Sequence, residues 1–538
     1  MSKKIIFACL AAFMLISLAL HLIGVNKIPP CLNADEAAYG YNSYSLLKTG
    51  RDEYGAFLPL RLKSFDDFKL PIYSYLSIPF IAIFGLTAFG TRFLNIVIGV
   101  AFVPLIYLLI KELFNKEKIA LIGAFLVSVS TWIHIMSRQA QEGVICAFFI
   151  LAATLFLVKF VKTNKTSFFL LTNLCILLST FAYHFGRIFL AFFIFYQIVY
   201  FWRRRQKLSG RKLTLIIITF VAIIAIPLII DYHYSVNRVA NLAFYNNAGL
   251  RLRLQEYLTE HNLPLLHNYL TESIRDVTNR YMEQLSPEFF LVWGDKTWRF
   301  GYYNLGVITL VEYLFIFIGL YYLFKNKAPF RFLIIYLFLV APLGNALTWQ
   351  EYSLIRTYFM IFPITVIVAY GLFHFFDNIK DRRLLLVLFL LVAGSYTFSL
   401  VNNWDIYLFH YPKRIEVIRA WQCGYKELVD YTKQNYNKFN HFVITDKDGQ
   451  PYIFFLFYMK YDPAKYQKQA KISAPDEYGF GQISHFDKFD FKFKYDPVAR
   501  HTVYVGYPDD FNGLNIPESK IKKIQIRSEQ IFWIYEVN

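Results

Sequence analysis

Runs of roughly 18 or more nearly uncharged residues recur along the first 400 or so positions, each long enough to cross a bilayer. Their spacing predicts eleven transmembrane helices, at about 5–25, 92–112, 118–134, 143–161, 168–183, 187–202, 213–231, 304–324, 332–348, 356–376 and 384–401. The stretch 71–86 (PIYSYLSIPFIAIFGL) is apolar but holds prolines and lacks a basic exit, which reads as an interfacial helix lying on the membrane. Asp66 and Asp67 just before it read as caps of that helix.

Basic clusters orient the spans. KELFNKEK, KTNKTS, RRRQKLSGRK (203–212), KNKAPFR and DNIKDRR all fall on one side, as expected where Lys and Arg resist translocation. The N-terminus is then cytoplasmic, and loops 26–91 and 232–303 lie outside with everything after about 402. No small-x-small cleavage site ends the first apolar run, so it reads as an uncleaved helix. The tail alternates strand-like runs, FVITD (442–446), YIFFLFY (452–458) and TVYVGY (502–507), with turn signals. The expected architecture is a polytopic α-helical membrane protein with a transmembrane domain over 1–401 and a small extracytoplasmic α/β domain over 402–538.

Composition agrees with the pattern. Charged residues are 17% of the chain, against about a quarter in soluble proteins. The net charge of +18 would suit a nucleic-acid binder, but the cations sit between apolar runs rather than on one soluble face, so topology accounts for them and no nucleic-acid partner is expected. Of five cysteines, Cys9, Cys146 and Cys175 lie in apolar runs. Cys31 and Cys423 both face the oxidising side, where a bridge is chemically allowed although no spacing calls for it.

The informative ionisable residues are those on the outer side at the ends of spans: Asp35, Glu36, Asp66, Asp67, Lys69, Arg138, Glu142, His184, Arg187 and Arg356. Charges at membrane depth are expensive and mark paired or functional groups. A pocket with both carboxylates and cations suits a lipid-linked sugar phosphate. Cations hold the phosphate as it leaves, and a carboxylate takes the proton of an attacking hydroxyl.

NADEAAYGYNSYSLLKTGRDEYG (33–55) followed by DDFKLPIYSYLSIPFIAIFG (66–85) resembles the first loop of GT-C membrane glycosyltransferases, and within them the protein O-mannosyltransferase and aminoarabinose-transferase group. SRQAQEG (137–143), YHFGRIF (183–189), SPEFFLVWGDKTWRFGYYNLGVITLVEYLFIFIGL (286–320) and SLIRTYFMIFP (353–363) are similar, in order, to a bacterial branch. The resemblance implies that Asp35 is the catalytic base with Glu36 beside it, and that Glu142 is the second acid. It implies Lys69, Arg356, Arg138 and Arg187 as cations for the donor phosphate, and Tyr39 and Tyr183 as substrate contacts. Lys69-Leu70-Pro71 departs from the group's Lys-Pro-Pro by one leucine but keeps the cation.

Each residue also has a plainer reading. Asp35 and Glu36 could be a solvated loop pair, Lys69 a snorkelling anchor, and Glu142 a helix-start residue paired with Arg138. His233, His261 and His267 have no ligand spacing. Some GT-C enzymes use a divalent cation, for which Asp35 and Glu142 would be the place here, but the mannosyltransferase-like group generally does without one, so neither metal nor cofactor is expected. The reading is an inverting transferase that moves a monosaccharide from a polyprenyl-phosphate carrier to a hydroxyl of a protein, lipid or polysaccharide, in the cell (plasma or inner) membrane. The rival is a transporter or flippase of a lipid-linked or small polar substrate, which should show broken helices at the midplane and related halves. An oligosaccharide transferase using a longer donor is a second rival, which a larger soluble domain would favour, and this tail is modest.

Overall fold

The computed structural model describes residues 2–65, 67–203, 210–234, 243–302, 304–349, 353–447, 449–472 and 483–538. They form two compact units, one of residues 1–23, 95–137 and 141–409, the other of residues 24–94, 138–140 and 410–538.

The first unit is helical. Among the described residues, seven helices are long and apolar enough to cross a membrane, and an eighth span arises if the bent pair Glu117–Val129 and Thr131–Ser137 is counted as one. That pair occupies the third expected span and turns by 51° at Ser130. Ser130 adopts extended backbone angles, and its hydroxyl accepts the Ile133 N–H, so it ends one helix and caps the next. The apolar helices at Thr166–Ala182 and Arg331–Ala346 are shorter. Leu354–Asp377 is mostly buried within the unit, whereas Arg382–Lys413 exposes Leu386, Phe389 and Leu391, side chains suited to lipid. Leu310–Lys325 and Ile361–Asp377 cross at Gly319 and Gly371, where a Cβ on Gly371 would lie 2.8 Å from the Gly319 Cα. Small residues let membrane helices approach this closely. The chain is a multi-pass membrane protein.

Among the described residues, the second unit is built on a seven-stranded mixed sheet in the order Lys471–Ile472, Ile483–Phe486, Phe489–Phe491, His441–Ile444, Thr502–Gly506, Glu529–Val537, Ile521–Ile526. His441–Ile444 runs parallel to both neighbours, and the outer pairs are antiparallel. FVITD and TVYVGY are strands as expected. YIFFLFY is not: it forms the helix Pro451–Met459. A continuous apolar run carries no period to separate strand from helix. Here Pro451 opens a helical turn, and both faces are covered. Phe455 packs on Phe489 of the sheet at 4.9 Å and Tyr425 stacks on Phe454 at 4.2 Å.

The other face of this buried helix meets the helix Ala34–Thr49, which carries the acidic pair. A Cβ on Gly40 would lie 2.6 Å from the Phe457 ring and 2.5 Å from the Thr91 hydroxyl. Gly40→Ala is therefore expected to lower stability by about 1–3 kcal/mol, the usual cost of overpacking, measured as unfolding of the purified protein.

Two short antiparallel strands, Leu62–Ser64 and Asp67–Lys69, precede the helix Ile72–Phe84. Asp67 thus lies in a strand rather than at the start of that helix, whose N-cap is Pro71. Asp66 lies outside the described residues. The hairpin places Lys69 at a strand end.

Candidate active site

The helix Ala34–Thr49 begins where Asn33, in extended conformation, accepts the Glu36 N–H on its side chain at 3.1 Å. Asp35 and Glu36 therefore occupy the first turn, where the helix dipole favours negative charge. Successive residues point about 100° apart around a helix, so the two acids enter different surroundings.

Asp35 keeps 44% of its side chain exposed and accepts a hydrogen bond from the Lys69 ammonium at 2.9 Å. Lys69 is only 8% exposed, and its ammonium sits 4.6 Å from the ring centres of both Tyr39 and Phe65. Aromatic faces stabilise a partly desolvated cation there. Tyr39 is buried and packs on Tyr73, so its ring supports the lysine.

Glu36 is fully buried. Its carboxylate takes a bidentate fork from Arg92, at 2.9 Å from Nε and 2.7 Å from Nη2, and also accepts the Ala140 N–H at 2.8 Å. Arg92 reaches on to the carbonyls of Pro29 and Cys31, and Arg138 donates to the carbonyl of Ile28 at 2.9 Å. Two guanidiniums thereby order the carbonyls of residues 28–31 in front of the acidic helix. Arg138, expected to hold a phosphate, is itself fully buried and engaged with this loop. A disulfide between Cys31 and Cys423 closes the loop, with Cα atoms 5.4 Å apart. The spacing of the cysteines had no way to indicate it, since 392 residues separate them.

Glu53, which feels the Lys69 charge, is 1% exposed. Its amide donates to Asn42 Oδ1 and its carboxyl accepts the Tyr452 hydroxyl. Burial, reinforced by the neighbouring Asp52 charge and opposed by Lys69, pushes its pKa up to about 8. The unfolded chain releases that proton near pH 4.5, so between about 4.5 and 8 the folded form binds more protons than the unfolded. Stability then falls as pH rises through that window. Glu53→Gln removes the ionisation, and unfolding curves should show it more stable than wild type at pH 8.5 by a few kcal/mol, with little difference at pH 4.5.

The remaining candidates belong to the helical unit. Glu142 opens the helix Glu142–Thr163. Arg187 pairs with Asp231 at 2.6 Å, a partner the sequence had not singled out. Arg356 donates to the Thr348 hydroxyl at 2.8 Å. The short helix holding Arg356 is fixed by Asp295, which is buried, accepts the Leu354 N–H at 2.6 Å and binds the Thr297 hydroxyl at 2.7 Å. Tyr183 ends the helix Thr166–Ala182, with its ring against Phe185. Among the described residues, no three His, Cys, Asp or Glu side chains form a group that could hold a metal ion.

The sequence reading passed over Arg92, Glu53 and Gln422. An arginine at the head of an apolar span was the available signal for the first. Glu53 and Gln422 become distinctive only through burial and through neighbours some 400 positions away.

Residues 69–230 match the family described as dolichyl-phosphate-mannose-protein mannosyltransferase. Among solved structures, ArnT from Cupriavidus metallidurans bound to undecaprenyl phosphate superposes with a TM-score of 0.54 at 8% identity, covering 97% of each chain. Its apo state gives 0.52 at 9% identity, again over 97% of each. The chain has the GT-C glycosyltransferase fold. Archaeal oligosaccharyltransferase AglB from Archaeoglobus fulgidus, in complex with an inhibitory peptide and a dolichol-phosphate, superposes with a TM-score of 0.50 at 14% identity. That match covers 85% of this chain but only 64% of AglB, so the chain spans less than two thirds of the oligosaccharyltransferase. No curated protein matches by sequence.

Proposed function

We propose that this GT-C protein transfers a monosaccharide from a polyprenyl-phosphate carrier to an acceptor hydroxyl, with inversion, at the extracytoplasmic face of the cell membrane. The observation that carries the reading is the division of labour in the acidic pair: Glu36 is buried and neutralised by Arg92, while Asp35 is half exposed beside a shielded lysine. A solvated loop pair would leave both acids in water. The polyprenyl phosphates that the solved structures hold, undecaprenyl phosphate in ArnT and a dolichol-phosphate in AglB, favour the same class of carrier.

In this reading the carrier phosphate takes over Lys69. An ammonium has three N–H donors and one is spent on Asp35. As Lys69 turns toward the phosphate, Asp35 is left as a carboxylate able to accept the acceptor hydroxyl's proton. The oxygen attacks the anomeric carbon from the face opposite the phosphate, the C1–O bond to phosphate breaks, and Lys69 stabilises the charge that develops there. Glu36 takes no part in proton transfer in this scheme; with Arg92 it holds the helix start and the Ala140 amide. On the sequence resemblance, Glu142 stays the proposed second acid and Arg138, Arg187 and Arg356 stay proposed phosphate cations, and no step uses a metal.

The test uses the full chain in lipid nanodiscs with a panel of radiolabelled polyprenyl-phosphate monosaccharides. One of them should be transferred or hydrolysed without added divalent cation. Turnover of none, across hexose and pentose donors, would sink the reading.

A further inference from the structure

Three consecutive residues of the C-terminal domain reach the acidic helix. Gln422 Oε1 accepts the Ala34 N–H at 2.9 Å. Trp421, fully buried, sets its ring 5.6 Å from the Arg92 guanidinium, and its indole N–H donates to the Tyr411 hydroxyl at 2.7 Å. Cys423 is bonded to Cys31, whose carbonyl Arg92 also holds. The contacts thus fall on the first amide of the helix, on the cation that neutralises Glu36, and on the loop between them.

The amides of a helix's first turn have no intrahelical partner. Asn33 serves that of Glu36, and Gln422 serves that of Ala34, the residue before Asp35. The 421–423 segment is itself fixed by the domain's sheet. Gly424 follows it at φ +104°, in the left-handed region, and a Cβ there would lie 2.9 Å from Ile531 of the strand Glu529–Val537. Lys69 arrives from a separate hairpin, so its 2.9 Å contact with Asp35 exists only while the helix start is held in place.

We propose that Gln422 is a positioning residue for Asp35, and that the C-terminal domain serves the chemical step through Trp421–Cys423 rather than by reading the acceptor. This rests on the glycosyl-transfer reading above. A displacement of about 1 Å at a reacting group costs on the order of a hundredfold in rate. Loss of the Ala34 cap acts on the base without touching either substrate.

The test compares full-length variants in nanodiscs. Gln422→Ala should lower kcat roughly 10- to 100-fold, with donor and acceptor KM within about twofold. Amide hydrogen exchange of the peptide spanning 33–41 should quicken, while that of 451–459 stays as in wild type. Gln422→Glu keeps an acceptor for the Ala34 N–H but adds a carboxylate near Asp35. It should retain most of kcat and move the acid limb of the pH profile upward by about half a unit or more, which a purely structural role would not do. Lys447→Ala, on an exposed pair with Asp509 in the same domain, is the control that changes none of these. Unchanged kcat with a raised acceptor KM in Gln422→Ala would overturn the proposal, as would unchanged exchange over 33–41. If wild type turns over no polyprenyl-phosphate sugar, the functional reading fails instead, and the exchange measurement still decides whether Gln422 holds the helix start.

Discussion

Asp35→Asn is expected to lower sugar transfer by roughly 10²–10⁴-fold, the range that a positioned general base contributes. The amide oxygen of asparagine can still accept from Lys69, and position 35 is half exposed, so the fold should persist. The loss should therefore appear in kcat, with the donor KM within a few-fold of wild type. Lys69→Ala should behave differently. It removes the cation proposed for the phosphate, so the donor KM should rise along with the fall in kcat. Steady-state kinetics at several donor concentrations separates the two. Full kcat in the asparagine variant would remove Asp35 from the mechanism and leave the acidic pair with a purely structural meaning.

The second large effect concerns stability. Arg92→Met should cost about 3–5 kcal/mol, because it leaves the Glu36 carboxylate buried without its counter-charge. Replacing both partners, Arg92→Met with Glu36→Gln, should recover much of that loss, since no buried charge is then stranded. The double-mutant cycle measured by unfolding reads the coupling directly. A single-variant cost below about 1 kcal/mol would mean that water reaches Glu36. It would also undo the contrast with Asp35 on which the functional reading depends.

These two acids show what was readable from the chain and what was not. Their place after an apolar helix, and the lysine 34 positions later, could be picked out because polar residues are conspicuous among apolar runs. That Asp35 meets Lys69 follows from the hairpin Leu62–Ser64 and Asp67–Lys69, too short to show in the sequence pattern. That Glu36 meets Arg92 depends on the helix starting at Ala34, one residue after its cap, which aims the two side chains apart. Arg138 was singled out as a cation, and only the fold shows that its guanidinium also donates to the Ile28 carbonyl of the loop before the acidic helix. A residue's charge is legible in one dimension, but the direction of its side chain is not.

The tail makes the same point. FVITD and TVYVGY are β-branched and flanked by turns, and they are strands. YIFFLFY has no period, and burial on both faces makes it a helix. The bond between Cys31 and Cys423 spans most of the chain, so no local spacing could announce it.

By itself, then, the sequence determined that this is a multi-pass helical membrane protein with a mixed α/β tail. It also marked where the scarce charges at the ends of its apolar runs stand, because hydrophobic run length and charge distribution act locally along the chain. Only the tertiary structure decided which acid is open and which is neutralised, that Glu53 is buried, and that Gln422 caps the acidic helix. Burial and pairing are properties of neighbours in space. Here those neighbours come from segments as far as about 400 residues away.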